Sequence, residues 1–300
     1  KEKPENWNLS PWAVVTYIMG GKLDDGTIIE PKYYGNRRLI EVAVATLVTD
    51  RALLLVGIPG TAKTWVSEHI AAAISGDSTL LVQGTAGMGE EAIRYGWNYA
   101  KLLAEGPSEQ SMTPSPILKG MKEGKVVRVE ELTRLPSDVQ DSLITVLSEK
   151  TLPIPELNSE QQAISGFNVI ATANDRDKGV NELSSALRRR FNTVVMPLPK
   201  SFEEEVKIVQ TRVEKFTAKL KMPKSKIPTE EIKRLITIFR ELRQGGTIDG
   251  KMKLKSPGST LSTAEAISVV NNGVILAKHF GNGTLSARDI SASLTGAIVK

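Results

Sequence analysis

Gly57, Lys63 and Thr64 have the residue types and the spacing of a site that binds a nucleoside triphosphate. Residues 57 to 64 read Gly-Ile-Pro-Gly-Thr-Ala-Lys-Thr. In such a loop the backbone N–H groups and the start of the following helix surround the phosphates, the lysine contacts them, and the hydroxyl meets Mg²⁺. An apolar run, Ala52–Val56, precedes the loop and a helix-compatible segment follows it, as the site requires. We therefore predict binding of ATP or ADP with Mg²⁺. The predicted nucleotide-binding residues are Gly57, Pro59, Gly60, Thr61, Ala62, Lys63, Thr64 and Trp65.

One residue of this loop departs from the pattern G-x-x-x-x-G-K-[ST]. Ala62 occupies the second glycine position. Glycine adopts left-handed backbone conformations at little cost, whereas other residues do not. The backbone at Ala62 must therefore keep a conformation that an L-residue tolerates.

Two carboxylates, Glu130 and Glu131, follow the apolar run Val126–Val129. At the end of a second nucleotide-binding strand, Glu130 would accept a water of the Mg²⁺ shell beside Thr64, and Glu131 would orient and polarise the attacking water. Two glutamates are also typical of the first turn of a surface helix, where the helix dipole favours acids. The phosphate loop elsewhere in the chain favours the catalytic interpretation of the two glutamates.

Polar residues at the ends of the next two apolar runs complete the candidate chemistry. Asn174 could hydrogen-bond the γ-phosphate or the attacking water, although Asn174-Asp175 is equally typical of a turn. Arg189 and Arg190 belong to a run of three arginines before Phe191, a pattern that also ends many solvated helices. An arginine that reaches the γ-phosphate of a neighbouring subunit can raise the rate by roughly a thousandfold or more.

The composition excludes several other classes of site. The chain of 300 residues contains no cysteine and only two histidines, which rules out disulfides and thiolate metal sites and argues against a zinc centre. It contains no apolar run of bilayer-spanning length and no apolar leader near its start, so we predict a cytoplasmic protein without membrane contact. The formal net charge of +5 is compatible with a nucleic acid or an acidic protein partner.

The order of the elements predicts an α/β domain followed by a helical one. Apolar runs that alternate with helix-compatible segments indicate a mostly parallel sheet covered by helices. These runs are residues 52–56, 79–82, 126–129, 167–172 and 193–196. Only helices are predicted beyond Pro199, at 201–220, 228–244, 260–280 and 286–298. We predict a core domain over 1–198 and a smaller helical domain over 199–300.

Together these features resemble the AAA+ ATPase family: a phosphate loop, an acidic pair, a strand-end asparagine, arginines before a phenylalanine, and a helical lid. Within that family, Gly-Ile-Pro-Gly-Thr-Ala-Lys-Thr resembles the MoxR branch, where alanine before the lysine is usual. The resemblance covers roughly 35 to 200 well and the lid less closely. Further stretches that resemble this branch are Gly35–Glu41, Leu81–Thr85, Pro116–Gly120, Glu131–Pro136, Val139–Leu143 and Asn168–Asn174.

The resemblance implies a P-loop fold with a five-stranded parallel sheet between helices, ATP hydrolysis, and a homo-oligomeric ring of six subunits. It also implies remodelling of a protein client or adaptor, namely a von Willebrand factor A domain protein. The roles it assigns are Lys63 and Thr64 as Walker A residues, Glu131 as catalytic glutamate, Asn174 as sensor 1, and Arg190 as arginine finger with Arg189 as the rival. The chain departs from the family in having Glu130 in place of the Walker B aspartate and no sensor 2 arginine within 259–266.

Two inserted segments could line a central pore. Tyr95, Trp97 and Tyr99 alternate along the first, near 90–106, which on a strand places all three on one face. The resemblance makes this segment and a hairpin near 151–166 candidate pore elements, whereas the aromatic face could instead be buried against the sheet or a neighbour.

Two rival functions remain open. The basic composition suits a nucleic-acid-translocating motor, although no nucleic-acid module is recognisable. Glu130 and the missing sensor 2 arginine suit a nucleotide-gated scaffold with little hydrolysis.

Overall fold

The computed structural model describes residues 2–174, 181–220, 226–255 and 261–298. By contacts, the chain divides into two compact units. One comprises residues 1–57 and 62–196, and the other comprises 58–61 and 197–300.

Eleven strands are present in the described residues. They are β1 (Gly21–Lys22), β2 (Ile28–Ile29), β3 (Ala52–Gly57), β4 (Leu81–Gln83), β5 (Tyr95–Trp97), β6 (Met112–Pro114), β7 (Val126–Glu130), β8 (Thr151–Ile154), β9 (Ser159–Gln162), β10 (Asn168–Asn174) and β11 (Phe191–Val195). Eleven α-helices accompany them over the same residues. They are α1 (Pro11–Met19), α2 (Arg37–Val48), α3 (Lys63–Ser75), α4 (Tyr99–Glu105), α5 (Pro116–Glu123), α6 (Ser137–Ser148), α7 (Ser185–Arg188), α8 (Phe202–Lys219), α9 (Thr229–Gln244), α10 (Thr263–Phe280) and α11 (Ala287–Ile298).

The first unit is built around a five-stranded sheet with the order β11-β3-β10-β7-β4. All four pairings in this sheet are parallel. Each of the five predicted apolar runs overlaps one of these strands, although the bounds differ by up to two residues. The prediction of a parallel five-stranded sheet is therefore confirmed.

Helices cover both faces of this sheet, because side chains alternate between faces along a strand. On β3, Leu53 and Leu55 pack into one hydrophobic cluster with α1, α2 and α3, whereas Leu54 packs into another with α5 and α6. Both faces of the central strands are therefore buried, which is why their sequences are continuous apolar runs.

The strand register brings the polar strand ends together. Asn174 at the end of β10 pairs with Gly57 at the end of β3, and Gln83 on β4 pairs with Glu130 on β7. Because parallel strands end at the same edge of a sheet, ligands of such folds bind beyond that edge.

The segment predicted near 90–106 is a longer insertion. Strands β5 and β6 pair antiparallel, and α4 lies between them in the sequence. The rings of Tyr95 and Trp97 meet edge to face, with centroids 5.8 Å apart, as predicted for one strand face. The prediction is wrong for Tyr99, because the strand ends at Trp97. Asn98 caps α4, and Tyr99 is 75% exposed on that helix.

The second hairpin consists of β8 and β9, which pair antiparallel. It contacts the first through a hydrogen bond of 2.6 Å from the Tyr95 hydroxyl to Glu156 Oε2. Burial and this hydrogen bond raise the pKa of Tyr95 to about 12, and the same bond lowers the pKa of Glu156. The phenol therefore remains a donor at neutral pH.

The second unit is a helical bundle of α8 to α11 with its own hydrophobic cluster. Glu205 on α8 is fully buried and accepts hydrogen bonds of 2.8 and 2.9 Å from Arg243 on α9, and one of 3.1 Å from Thr263 on α10. A buried charge is tolerated when it is paired and hydrogen-bonded. This network joins three of the four helices.

Helix α10 begins with a capping box between Ser262 and Glu265. It starts at Thr263, three residues later than predicted. Ser259 and Thr260 begin the stretch 259–266, in which a sensor 2 arginine is missing, and both lie outside the described residues. None of the helices in the described part of the chain is long and apolar enough to cross a membrane.

Candidate nucleotide-binding site

The phosphate loop connects β3 to α3, the strand-to-helix context that the sequence predicts. Lys63 is only 7% exposed, and its ammonium donates a hydrogen bond of 2.8 Å to the carbonyl oxygen of Gly57. The Thr61 hydroxyl donates to the carbonyl of Ile58 at 2.9 Å. Two loop carbonyls thus accept hydrogen bonds from side chains, and the backbone N–H groups of such a loop are donors suited to an anion.

The backbone of Ala62, which occupies the second glycine position of the loop, is left-handed. Ala62 has φ 63° and ψ 20°, and Gly60 has φ 81°. Ala62 therefore lies in the small left-handed region that L-residues can enter at a cost of about 1 to 2 kcal/mol.

Replacing Ala62 with glycine is expected to stabilise the protein. Glycine removes the cost of the left-handed conformation but adds entropy to the unfolded chain, so the net gain is roughly 0.5 to 1 kcal/mol. Thermal unfolding without nucleotide measures the change. The matched control is Ala72→Gly inside α3, where the backbone is helical and glycine should destabilise by about 1 kcal/mol. Equal destabilisation by both substitutions would contradict the argument.

Glu130 is held by four donors. It is 2% exposed. One carboxylate oxygen accepts from Ser67 at 2.5 Å and Arg128 at 3.0 Å, and the other accepts from Thr64 at 2.9 Å and Thr172 at 2.6 Å. A carboxylate offers about four acceptor positions, so this one is fully engaged.

The donor set at this point suits a hard divalent cation. Mg²⁺ is bound in proteins by oxygen ligands, through one or two carboxylates together with substrate phosphates. The Thr64 hydroxyl and the Glu130 carboxylate supply such oxygens within hydrogen-bond distance of each other. No group of three or more potential metal-binding His, Cys, Asp or Glu residues occurs within the described ranges.

Glu131 directly follows β7 in an unusual conformation. It has φ 54° and ψ 48°, a left-handed backbone that departs from the extended conformation of the strand. Its N–H donates to the Thr172 hydroxyl at 3.1 Å, and its carboxylate pairs with Arg134 at 2.5 Å. A Cβ at residue 84 would lie 2.3 Å from the Glu131 carbonyl oxygen, so Gly84 is required here. Strained backbone of this kind is concentrated at functional sites.

Of the other predicted residues, Asn174 lies beside the phosphate loop, whereas the Trp65 side chain contacts other parts of the chain. Asn174 ends β10 opposite Gly57, beside the phosphate loop, and Asp175 lies outside the described residues. The Trp65 side chain is occupied elsewhere, because its indole N–H donates to the Lys32 carbonyl at 2.9 Å and its ring packs against His69. The prediction that Trp65 contacts the nucleotide therefore concerns its backbone in the first turn of α3.

The two candidate finger arginines differ in their contacts. Arg190 donates to Ser148 Oγ at 2.7 Å and to the Ala186 carbonyl at 3.0 Å, which fixes its guanidinium against α6 and α7. Arg189 is exposed, and its carbonyl accepts from Arg51. A guanidinium has five N–H donors, so Arg190 is oriented and still retains donors for a further ligand.

Sequence reasoning missed Ser67, Arg128, Arg134 and Thr172. Ser67 lies one turn after Thr64 on α3, and Arg128 lies two residues before Glu130 on β7. Of these, only Arg128 could have been identified from the sequence, because a charged residue inside an apolar strand requires a buried partner. Thr172 contacts Glu130 only through the pairing of strands that are distant in sequence.

The fold and the arrangement of these residues are those of a P-loop protein of the α/β class. A family described as the AAA domain of the dynein-related subfamily matches residues 52–191, and one described as the YehL-like AAA+ ATPase C-terminal domain matches residues 203–300. Protein YehL of Escherichia coli (strain K12) is 40% identical over 301 residues, 99% of this chain and 81% of YehL. The chain belongs to the YehL-like AAA+ ATPases.

More distant similarities agree with the fold. A Staphylococcus aureus (strain USA300) protein is 27% identical over 164 residues, 53% of this chain and 61% of its own length. NtrX from Brucella abortus in complex with ADP superposes with a TM-score of 0.55 at 13% identity, over 86% of this chain and 54% of NtrX. The Thermotoga maritima RuvB Holliday junction branch migration motor gives 0.52 at 15% identity, over 93% of this chain and 73% of RuvB. This chain thus spans about half of NtrX.

Proposed function

We propose that this protein binds and hydrolyses ATP with Mg²⁺ at the phosphate loop. The observation that carries the proposal is the hydrogen bond between Thr64 and Glu130, which joins the two strand–loop elements beside the buried Lys63. Lys63 would exchange its contact with the Gly57 carbonyl for the phosphates. Bound Mg²⁺ would supply charge neutralisation of the phosphates, and Thr64 and Glu130 would hold it.

Within this site, Glu131 would orient the attacking water and Asn174 would position it or the γ-phosphate. Phosphoryl transfer depends mainly on positioning and on stabilisation of the charge that develops. The left-handed turn at Glu131 and the pairing of Asn174 with Gly57 support these roles.

Lys63→Ala tests the binding step. Each hydrogen bond to a charged group contributes about 1.5 to 3 kcal/mol, so its loss should weaken nucleotide binding roughly 10- to 100-fold. Competition of ATP and ADP against a fluorescent ADP measures the affinity. The control is Lys119→Ala on α5, an exposed lysine that should leave the affinity unchanged. Unchanged affinity in Lys63→Ala would contradict the assignment of the loop.

We further propose that the protein is of MoxR type and works as a ring, of six subunits, whose sites are completed by an arginine from the neighbour. Arg190, oriented by Ser148 and Ala186, is the first candidate and Arg189 the second. Light scattering of Glu131→Gln with ATP should give six times the mass of one chain. A monomer at all protein concentrations would contradict ring formation.

The proposed work of the ring is remodelling of a partner protein. The inserted hairpins support it, since α4 exposes Tyr99 and Leu103 on one face, at 75% and 88%, while Tyr95 and Glu156 join the two hairpins. The resemblance to MoxR suggests a von Willebrand factor A domain protein as the partner. ATP-dependent co-elution of such a protein with Glu131→Gln, lost in Lys63→Ala, tests this. Absence of co-elution would contradict that partner.

One alternative is a nucleotide-gated scaffold that hydrolyses little ATP. The four donors around Glu130 favour it, because a carboxylate so fully engaged must give up or share a contact when it accepts a metal-bound water. Turnover that depends on Glu131 would exclude this alternative.

A second alternative is a nucleic-acid-translocating motor, favoured by the net charge of +5. Stimulation of ATP turnover by DNA or RNA would support it, and absence of stimulation would count against it.

A further inference from the structure

Arg128 is a charged residue in the middle of the central sheet. It lies on β7 between β4 and β10, where it pairs with Leu81 on one side and Ile170 on the other, and it is 5% exposed. Removal of a guanidinium from water is costly unless it is paired and hydrogen-bonded. The position therefore requires a specific set of partners.

Those partners lie around the candidate metal site. Residues two apart on a strand share a face, so Arg128 and Glu130 point the same way. One terminal nitrogen of Arg128 donates to a Glu130 oxygen at 3.0 Å, and the other donates to the Ser78 carbonyl at 3.2 Å. Its Nε donates to the Ser67 hydroxyl at 3.3 Å, and that hydroxyl lies 2.5 Å from the same Glu130 oxygen.

The two carboxylate oxygens of Glu130 therefore have different partners. Arg128 and Ser67 hold one oxygen, and the other oxygen contacts Thr64 and Thr172. A glutamate has one more rotatable bond than an aspartate. Arg128 and Ser67 remove that freedom and leave a single oxygen beside the Thr64 hydroxyl.

We propose that Arg128 is a positioning residue for Mg²⁺, acting through Glu130, and that it sets how strongly the nucleotide complex binds the metal. This inference rests on the proposed function. Partners that orient a metal-binding carboxylate typically contribute about 10- to 100-fold in metal affinity. Ser67 has the same role through its contact with the same oxygen.

Arg128→Lys separates geometry from charge. Lysine keeps the positive charge, but a single ammonium cannot contact Glu130, Ser67 and Ser78 as the planar guanidinium does. Electron paramagnetic resonance of Mn²⁺, titrated into the full chain with ADP, measures free and bound metal. We expect Mn²⁺ affinity to fall roughly 10- to 100-fold, with ADP affinity in EDTA unchanged.

Arg243→Lys is the matched control. Arg243 also pairs with a buried glutamate, Glu205, but in the helical bundle. Both variants should lower the melting temperature, because each weakens a buried ion pair. Only Arg128→Lys should change the affinity for Mn²⁺.

Ser67→Ala keeps the test decisive if Arg128→Lys does not fold. It removes the second donor to the same oxygen and should also weaken Mn²⁺ binding. The inference would be overturned if every variant that folds binds Mn²⁺ as tightly as the wild type and differs only in a lowered melting temperature. That result would leave the proposed function intact. A wild-type chain that binds ADP neither with nor without metal would contradict the proposed function and the inference together.

Discussion

Glu131→Gln is expected to lower ATP turnover by about 100-fold or more, because a positioned general base contributes roughly 10² to 10⁴ in rate. Glutamine has the same shape, so ATP should still bind. The backbone of Glu131 is fixed by its N–H bond to Thr172 and by the fit against Gly84, which should keep the local fold. Phosphate release and nucleotide affinity, measured on the same preparation, test both halves of the prediction.

The matched control for this substitution is Glu214→Gln. Glu214 is an exposed residue of α8, and its replacement makes the same change in net charge. Its turnover should equal that of the unmodified chain. Wild-type turnover by Glu131→Gln would remove Glu131 from the catalytic role.

Arg190→Ala is expected to reduce turnover by about 10³-fold or more while nucleotide affinity is retained, since an arginine finger supplies roughly 10³ to 10⁵ in rate. In the proposed role the guanidinium would meet the charge that develops on the transferred phosphoryl group, so its loss would act on the transition state. Arg190 is already oriented by Ser148 and Ala186. Steady-state phosphate release, with the melting temperature as a check on folding, measures the effect.

Mixing of subunits then shows whether the arginine acts across a boundary. Glu131→Gln and Arg190→Ala are each expected to have little activity alone. In a mixed ring, an intact glutamate meets an intact arginine at some junctions, so part of the activity should return. Arg189→Ala is the comparison at the neighbouring residue. Should Arg189→Ala abolish turnover and Arg190→Ala preserve it, the finger would be Arg189.

The main architecture could be predicted because its signals are local. A strand buried on both faces must be apolar throughout, as 52–56 is, and an amphipathic helix repeats its apolar residues, as α2 does. Helices α8, α9 and α11 begin within a residue of their predicted starts. At Tyr99 the alternating pattern continued past the true end of the strand, and the helix cap at Asn98 overrode it.

The details of the site depend on contacts that the sequence does not display. Glu130 and Thr172 are 42 residues apart and meet only because β7 and β10 pair. The left-handed backbone at Glu131 has no residue signature, since glutamate is not a residue that favours it. Arg128 showed its polarity in the sequence, but its partners became evident only in the folded sheet.

ATP hydrolysis at a site completed by a second subunit is the central claim. The most direct measurement is Mg²⁺-dependent phosphate release per chain across a wide range of protein concentrations. A shared site predicts that activity per chain is lost on dilution and rises to a plateau as subunits assemble. Activity per chain that is independent of protein concentration, or no phosphate release at any concentration, would contradict the claim.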